Sequence, residues 1–325
     1  MRNQAKLTGR RQLFALVALA IGMSTAQAAQ PIKLIVPFAA GGVGDALARG
    51  IGEQLSSTLG ESVVVENRPG AGNLIGLEYT KSQPADGRTI FLTSPSPFNL
   101  YPLTYKKLNY DADKDFIPVA EVAEFTNSFV TSVNQSFKTL PGYIEEVKKN
   151  PAKAQIGVTA LGSGNHMATV ILSGLVGVKL EPVTYKGGAL IMNDLMGGHL
   201  PMGLDNSGSF IQSHHAGKIK VIATTGPQRS RALPDVPTLG ELGLKGFEMA
   251  NGWYAFYVRA GTPRATVDKL ESAFLKAAAD PKMKEKFAPM GLEINGRSGA
   301  SVSSRITAER EAWRPVVLKS GYQTE

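Results

Sequence analysis

Past residue 30, short apolar runs alternate with segments whose apolar positions recur every three or four residues. Lys33 to Pro37 reads as a strand, Ala46 to Leu59 as an amphipathic helix, Val63 to Glu66 as a strand, Leu74 to Ser82 as a helix and Thr89 to Thr93 as a strand. Pro69-Gly70 and Asp86-Gly87 punctuate the bends between them. A second series runs through strand Ser128 to Val133, helix Leu140 to Lys149, strand Gln155 to Thr159, a helix from about Asn165, strand Leu180 to Tyr185, a helix near Leu190 to Met196, and strands Pro201 to Asp205 and Ile219 to Thr224. Then the order changes. Gly252 to Val258 is a returning strand, Thr262-Pro263 opens a helix that buries Val267, Leu270, Phe274 and Ala278, and a last helix runs from about Ala300 to Leu318.

This βα rhythm predicts an α/β protein of two lobes, each a mostly parallel sheet flanked by helices, with a ligand cleft between them. Residues 29–125 plus 252–325 form lobe I and residues 126–251 lobe II, so the chain crosses twice between them. Ligands of such folds sit in loops at the carboxyl ends of parallel strands, and a cleft between lobes suits a small molecule.

The amino terminus adds an address. Arg2, Lys6, Arg10 and Arg11 precede the apolar run Leu13 to Met23, which ends in the small-residue site Ala26-Gln27-Ala28. Residues 1–28 therefore read as a cleaved signal peptide, the run being well short of the roughly 20 apolar residues of a spanning helix. Arg10-Arg11 leaves both the general and the twin-arginine export routes open. Removing four positive charges and no acid from a net charge of +8 leaves +4. With no concentrated basic stripe, that gives no grounds for a nucleic-acid partner, while it suits small anions. The absence of cysteine excludes disulfides, a thiol nucleophile and a lipidated cysteine at the leader junction.

The stretch "LIVPFAAGGVGDALARG", Leu34 to Gly50, joins a strand to a helix beginning near Asp45 through a glycine-rich bend. It fails the dinucleotide fingerprint, because Leu47 stands where the last glycine belongs, and it lacks the lysine of a phosphate loop. What remains is a set of backbone amides at a helix start that favours an anion, or else a tight turn with no ligand, with Asp45 as a helix cap. "VTALGSGNH", Val158 to His166, repeats the arrangement in the second series. There Ser163 and His166 form a nucleophile and base only on a serine-hydrolase reading, which the absence of G-x-S-x-G opposes. The four histidines match no metal motif, and no cofactor is implied. Tyr185-Lys186-Gly187-Gly188 could hold an anion, with a solvated Lys186 as the alternative. Asp205-Asn206-Ser207 either caps a helix or faces the cleft, where it accepts from an amine or hydroxyl of a ligand.

Together "VPFAAGGVGDALAR", "VVVENRPGAGN", "PADGRTI", "GSGNHMA", "YKGGALIMNDLMGGHLP", "RSRALPDVPTLGELG" and "GWYAFYVRAGTP" closely resemble, in order and over the whole mature chain, the substrate-binding proteins of tripartite tricarboxylate transporters, the Bug or TctC-like family. The resemblance implies a periplasmic "Venus flytrap" without catalysis, expected to act as a monomer. It closes on a di- or tricarboxylate or an aromatic acid and delivers it to a two-subunit integral-membrane permease. A sensor-kinase ectodomain is the alternative partner. The residues that the resemblance places at the ligand are Phe38, Ala39, Ala40, Gly41, Gly42, Asp45, Asn73, Thr93 and Ser94 from lobe I. From lobe II it places Thr159, Ala160, Ser163, Gly164, His166, Tyr185, Lys186, Gly187 and Asp205. Family members usually carry Thr or Ser after the two glycines; this chain has Val43 and Gly44, a change that favours a ligand with an apolar body, such as an aromatic or branched acid.

Overall fold

The computed structural model describes residues 30–324, so the expected signal peptide, residues 1–28, lies outside the described residues. Strand β1 (Ile32–Val36) leads into helix α1 (Val43–Leu59), β2 (Val63–Asn67) into α2 (Leu74–Ser82), and β3 (Thr89–Thr93) into two short turns, α3 (Ser96–Asn99) and α4 (Tyr101–Thr104). Strand β4 (Phe116–Phe125) then passes through Thr126 to β5 (Asn127–Ser132). Helix α5 (Leu140–Lys149), β6 (Gln155–Val158), α6 (Gly164–Val176), β7 (Glu181–Thr184), α7 (Gly188–Met196), β8 (Met202–Asn206), α8 (Ile211–His215) and β9 (Ile219–Thr224) complete the second series. The chain returns through β10 (Gly252–Arg259) and continues with α9 (Arg264–Ala279), α10 (Pro281–Phe287), β11 (Leu292–Ser298) and α11 (Gly299–Ser320).

Two mixed sheets result, one of order β11-β4-β10-β3-β1-β2 and the other β7-β6-β8-β5-β9. Parallel pairing is confined to β2-β1-β3 and to β7-β6-β8. Strand β10 lies antiparallel between β3 and β4, and β5 antiparallel between β8 and β9. The strand period of two sorts the first sheet's side chains: Leu34, Val36, Ile90 and Leu92 enter a core with Leu47, Ile51 and Phe274, while Ile35 and Phe91 enter another with Trp253, Tyr257 and Ile306.

Strands β4 and β11 escaped the sequence reading. Glu121 and Glu124 interrupt the apolar pattern of β4, yet Glu121 is fully buried. Arg297 and Arg305 meet it at 3.1 and 3.0 Å, and Arg305 also pairs with Glu124 and Glu309. Burial pushes the Glu121 carboxyl up, and the two guanidiniums oppose that rise. Glu309 in turn accepts from Trp253 Nε1 and Asn99 Nδ2.

The two passages between sheets are clipped together. The Asn127 amide donates to Thr225 Oγ1 at 2.9 Å, Thr225 Oγ1 donates to Asn251 Oδ1 at 2.7 Å, and Asn127 Nδ2 donates to the Ala250 carbonyl. A third connection was not expected. Helix α11 buries Val302 and Ile306 against the first sheet, and Trp313 and Val317 in the core that holds Met167, Leu172 and Phe247. Its tail bridges Tyr105 through Thr324.

Candidate functional site

The loops at the carboxyl ends of β1, β2 and β3 face those of β6, β7 and β8. A Cβ on Gly72 would lie 3.4 Å from that of Ala160, and the Gly164 amide reaches Ser96 Oγ at 3.4 Å. A Cβ on Gly208 would come within 2.8 Å of Val43 Cγ2. Asn206 Nδ2 donates to the Tyr254 hydroxyl at 3.3 Å. Glycine-punctuated segments of the two series thus lie against each other, Ala160 opposite Gly72 and Gly164 opposite Ser96.

In the first loop, Ala39 to Gly42 are exposed and Gly41 adopts φ +82°, a conformation that suits glycine. Helix α1 starts at Val43, two residues before Asp45, with Gly42 as an N-cap that supplies no side-chain hydrogen bond. Asp45 is therefore not the cap. It is 3% exposed and accepts from the Gly41 amide (2.9 Å), Asn67 Nδ2 (2.8 Å) and both Arg49 Nε and its terminal nitrogen (3.0 Å each). Burial raises its pKa, but these hydrogen bonds outweigh burial and leave the carboxyl below its ordinary value. Asp45 holds the loop from beneath, its oxygens engaged by these partners. Phe38 lies over Gly44, where a Cβ would sit 2.6 Å from the ring, and packs edge-on to Tyr254 at 5.6 Å. Val43 is 8% exposed and belongs to the first core. The argument for an apolar ligand body that rested on Val43 therefore falls, since its side chain is occupied by packing.

The β2 turn holds Ala71, Gly72 and Asn73 at positive φ, a run of strained backbone of the kind that marks functional loops. Asn73 Nδ2 donates to Thr93 Oγ1 at 3.2 Å and Ser94 Oγ at 3.3 Å, and the Tyr101 hydroxyl holds the Gly72 carbonyl at 2.9 Å.

On the opposite side, Ser163 caps α6: its Oγ accepts from the His166 amide at 3.4 Å and donates to the Ala160 carbonyl at 2.7 Å. His166 Nδ1 accepts the Gly162 amide at 2.9 Å, and its ring packs edge-on to Tyr322 at 4.3 Å. Burial lowers its pKa to about 4, so the imidazole is neutral at pH 7 with its proton on Nε2. No hydrogen bond joins Ser163 Oγ to the ring. The pair shapes a loop and is not a nucleophile with its base. The Tyr185 hydroxyl donates to Asp194 at 2.7 Å, while Lys186 is exposed and Gly187 adopts φ +136°.

Asp205, at the end of β8, differs from these occupied groups. From side chains its oxygens receive only long hydrogen bonds, from Asn165 Nδ2 at 3.4 Å and Ser209 Oγ at 3.5 Å, and the Asn206 backbone amide is its other donor. Burial raises its carboxyl to about 6. Asn206, not Asp205, caps the following turn through the Gly208 amide. Ser96 and Tyr254 border the same gap and were missed; Asn165, inside the second-lobe loop, and Asn206, in the Asp205-Asn206-Ser207 run, border it too. Asn165 and Tyr254 lie inside motifs that the sequence singles out, but nothing local tells which way they point.

Two hollows of about 180 and 350 Å³ lie elsewhere, around Phe98, Asp113 and Tyr257 and around Tyr105 and Asp111. Neither reaches these loops. Among the described residues no cluster of histidine, cysteine or acidic side chains could hold a metal ion, and no helix is long and apolar enough to cross a membrane.

Residues 47–322 match the model of the tripartite tricarboxylate transporter family receptor, TctC. A protein from the tcbD-tcbE intergenic region of Pseudomonas sp. (strain P51) is 31% identical over 319 residues, covering 96% of this chain and 94% of that one. Among solved structures, the periplasmic binding protein BugD superposes with a TM-score of 0.84 at 33% identity, over 91% of this chain and 99% of that chain. Rpa4515 of R. palustris with adipate gives 0.84 at 30% identity, covering 90% and 97%. MatC of Rhodopseudomonas palustris with bound malate gives 0.82 at 26%, covering 88% and 98%. The periplasmic-binding-protein fold and the family model agree: the chain belongs to the TctC family of tripartite tricarboxylate transporter receptors, which are binding proteins and not enzymes.

Proposed function

We propose that the protein is exported to the periplasm with removal of residues 1–28, captures a small carboxylate between the loops of its two sheets, and presents it to a two-subunit membrane permease. In this reading residues 29–125 and 252–325 make one lobe and 126–251 the other, hinged at the Asn127, Thr225 and Asn251 clip. The observation that carries the reading is the set of uncapped helix starts at the gap. Helices α1, α2 and α7 begin there with no side-chain cap, while α6 beside them is capped by Ser163. Unsatisfied amides at helix starts favour anions, and two relatives hold adipate and malate.

Gly42→Val tests it. Gly42 has extended backbone (φ −80°, ψ 171°) and a Cβ there meets only the Ala39 carbonyl, at 3.5 Å, so valine fits without unfolding the chain. Against a panel of mono-, di- and tricarboxylates, a ligand at 100 times its Kd should stabilise the wild type by about 2.7 kcal/mol, a rise of about 4 °C for a chain of this size. Gly42→Val should keep the unliganded melting temperature and lose that rise. An unchanged rise in the variant would remove the first loop from the site; no rise with any acid in the wild type would remove the carboxylate reading.

A further inference from the structure

Around the gap, most polar side chains already have partners. Asp45 is occupied by Arg49, Asn67 and Gly41, the Tyr185 hydroxyl by Asp194, the Ser163 hydroxyl by Ala160, and His166 Nδ1 by Gly162. Two acceptors are left over, and they are neighbours. Asn165 Oδ1 is buried with no hydrogen-bond partner, while Asn165 Nδ2 leans on Asp205 Oδ1 at 3.4 Å. An ionised carboxylate offers about four lone-pair sites, yet the side chains around Asp205 give it only two long contacts, from Asn165 and Ser209, beside the Asn206 backbone amide. The fold makes room for this carboxylate: a Cβ at Gly188 would lie 2.5 Å from Asp205 Oδ2, so the start of α7 carries glycine where the carboxylate packs.

We infer that Asp205 and Asn165 form the acceptor end of the ligand site and select carboxylates that also carry a hydrogen-bond donor, a hydroxyl or an ammonium group. The inference rests on the carboxylate reading above, with the ligand carboxylate at the amides of the first loop. A second plain carboxylate at the acceptor end would meet like charge and an acceptor oxygen, whereas an O–H or N–H would satisfy both groups. The state of Asp205 agrees with this, because burial disfavours its anion and no cation offsets the cost; Tyr254, facing it from β10, is a neutral phenol at pH 7. The selectivity differs from that expected of a site built for adipate, which has no such donor.

Calorimetry on the purified protein should use three matched sets: succinate, malate and aspartate; glutarate, 2-hydroxyglutarate and glutamate; propionate, lactate and alanine. In at least one set the hydroxyl or amino acid should bind at least tenfold more tightly than its plain counterpart. Asp205→Asn should cut that ratio at least tenfold, more steeply for the ammonium member if that is the donor recognised, and should tighten the plain diacid by removing the like charge. Asn165→Ala provides a second variant should Asp205→Asn fold poorly, and it should lower the ratio in the same direction. Equal binding within every set, or a ratio that survives both substitutions, would overturn the inference and leave the carboxylate reading standing. Binding of none of the nine would remove both.

Discussion

Asp205→Asn makes a prediction about the unliganded protein that can be worked from its surroundings. Burial raises the carboxyl from 3.8 to about 6. The folded chain therefore binds a proton more tightly than the unfolded chain, and stability falls as pH rises between those two values. Below the lower value both states are protonated and the group costs little. Above the upper value the whole penalty is present: a gap of about two units at 1.36 kcal/mol each gives roughly 3 kcal/mol as an upper limit, since the half-buried side chain retains some contact with water. Asparagine has nearly the same shape and no charge, so it keeps the Asn165 and Ser209 contacts and removes the penalty. The variant should be up to about 3 kcal/mol more stable at pH 7, near 5 °C in melting temperature for a chain of this size, and only about 1 kcal/mol more stable at pH 4.5. Urea unfolding at both pH values, without ligand, is the assay. A variant no more stable than wild type at pH 7, or equally stabilised at both, would show that Asp205 is not a strained anion. The expected result is a gain in stability at the expense of recognition, the usual relation at binding sites.

Asp45→Ala should lose about 2–3 kcal/mol at pH 7 and weaken carboxylate binding, because the Gly41 amide, Asn67 and Arg49 lose their common acceptor. As the folded pKa of Asp45 lies below its ordinary 3.8, the difference from wild type should be full above that value and shrink as acid protonates the folded carboxylate; a pH-independent difference in urea titrations would refute the assignment. Arg305→Ala should cost about 3–5 kcal/mol by leaving the buried Glu121 with Arg297 alone. A loss under about 1 kcal/mol in the same assay would mean that water replaces the guanidinium.

The βα series was legible because its strands are apolar and its bends carry glycine, as at Gly41 and Gly162, where only a positive φ closes the turn. Strands β4 and β11 were not, because the charges that break their patterns are neutralised by residues far along the chain: Glu121 by Arg305 on α11. The site divides in the same way. Glycine loops and helix starts can be read locally, so the segments that meet at the gap were found. Whether a side chain turns toward the gap or back beneath its own loop is decided by distant partners. Asp45 turns back to Asn67, His166 packs on Tyr322 near the opposite end of the chain, and Asn165 was hidden inside a motif read for its glycines.

The position of β10 dictates an order of assembly. The five strands of the second sheet come from one unbroken stretch, residues 127–224, and need nothing from outside it to pair. In the first sheet β3 and β4 are not neighbours; each pairs with β10, which is synthesised more than 120 residues after β4. Until Gly252–Arg259 arrives, both present bare edges to solvent and to other chains. Folding of the first sheet is consequently governed by a contact between distant segments, a slow step, and during it the incomplete sheet is the species most prone to aggregate. The six loops reach their mutual positions only after that insertion, so an unfinished chain cannot sequester solute.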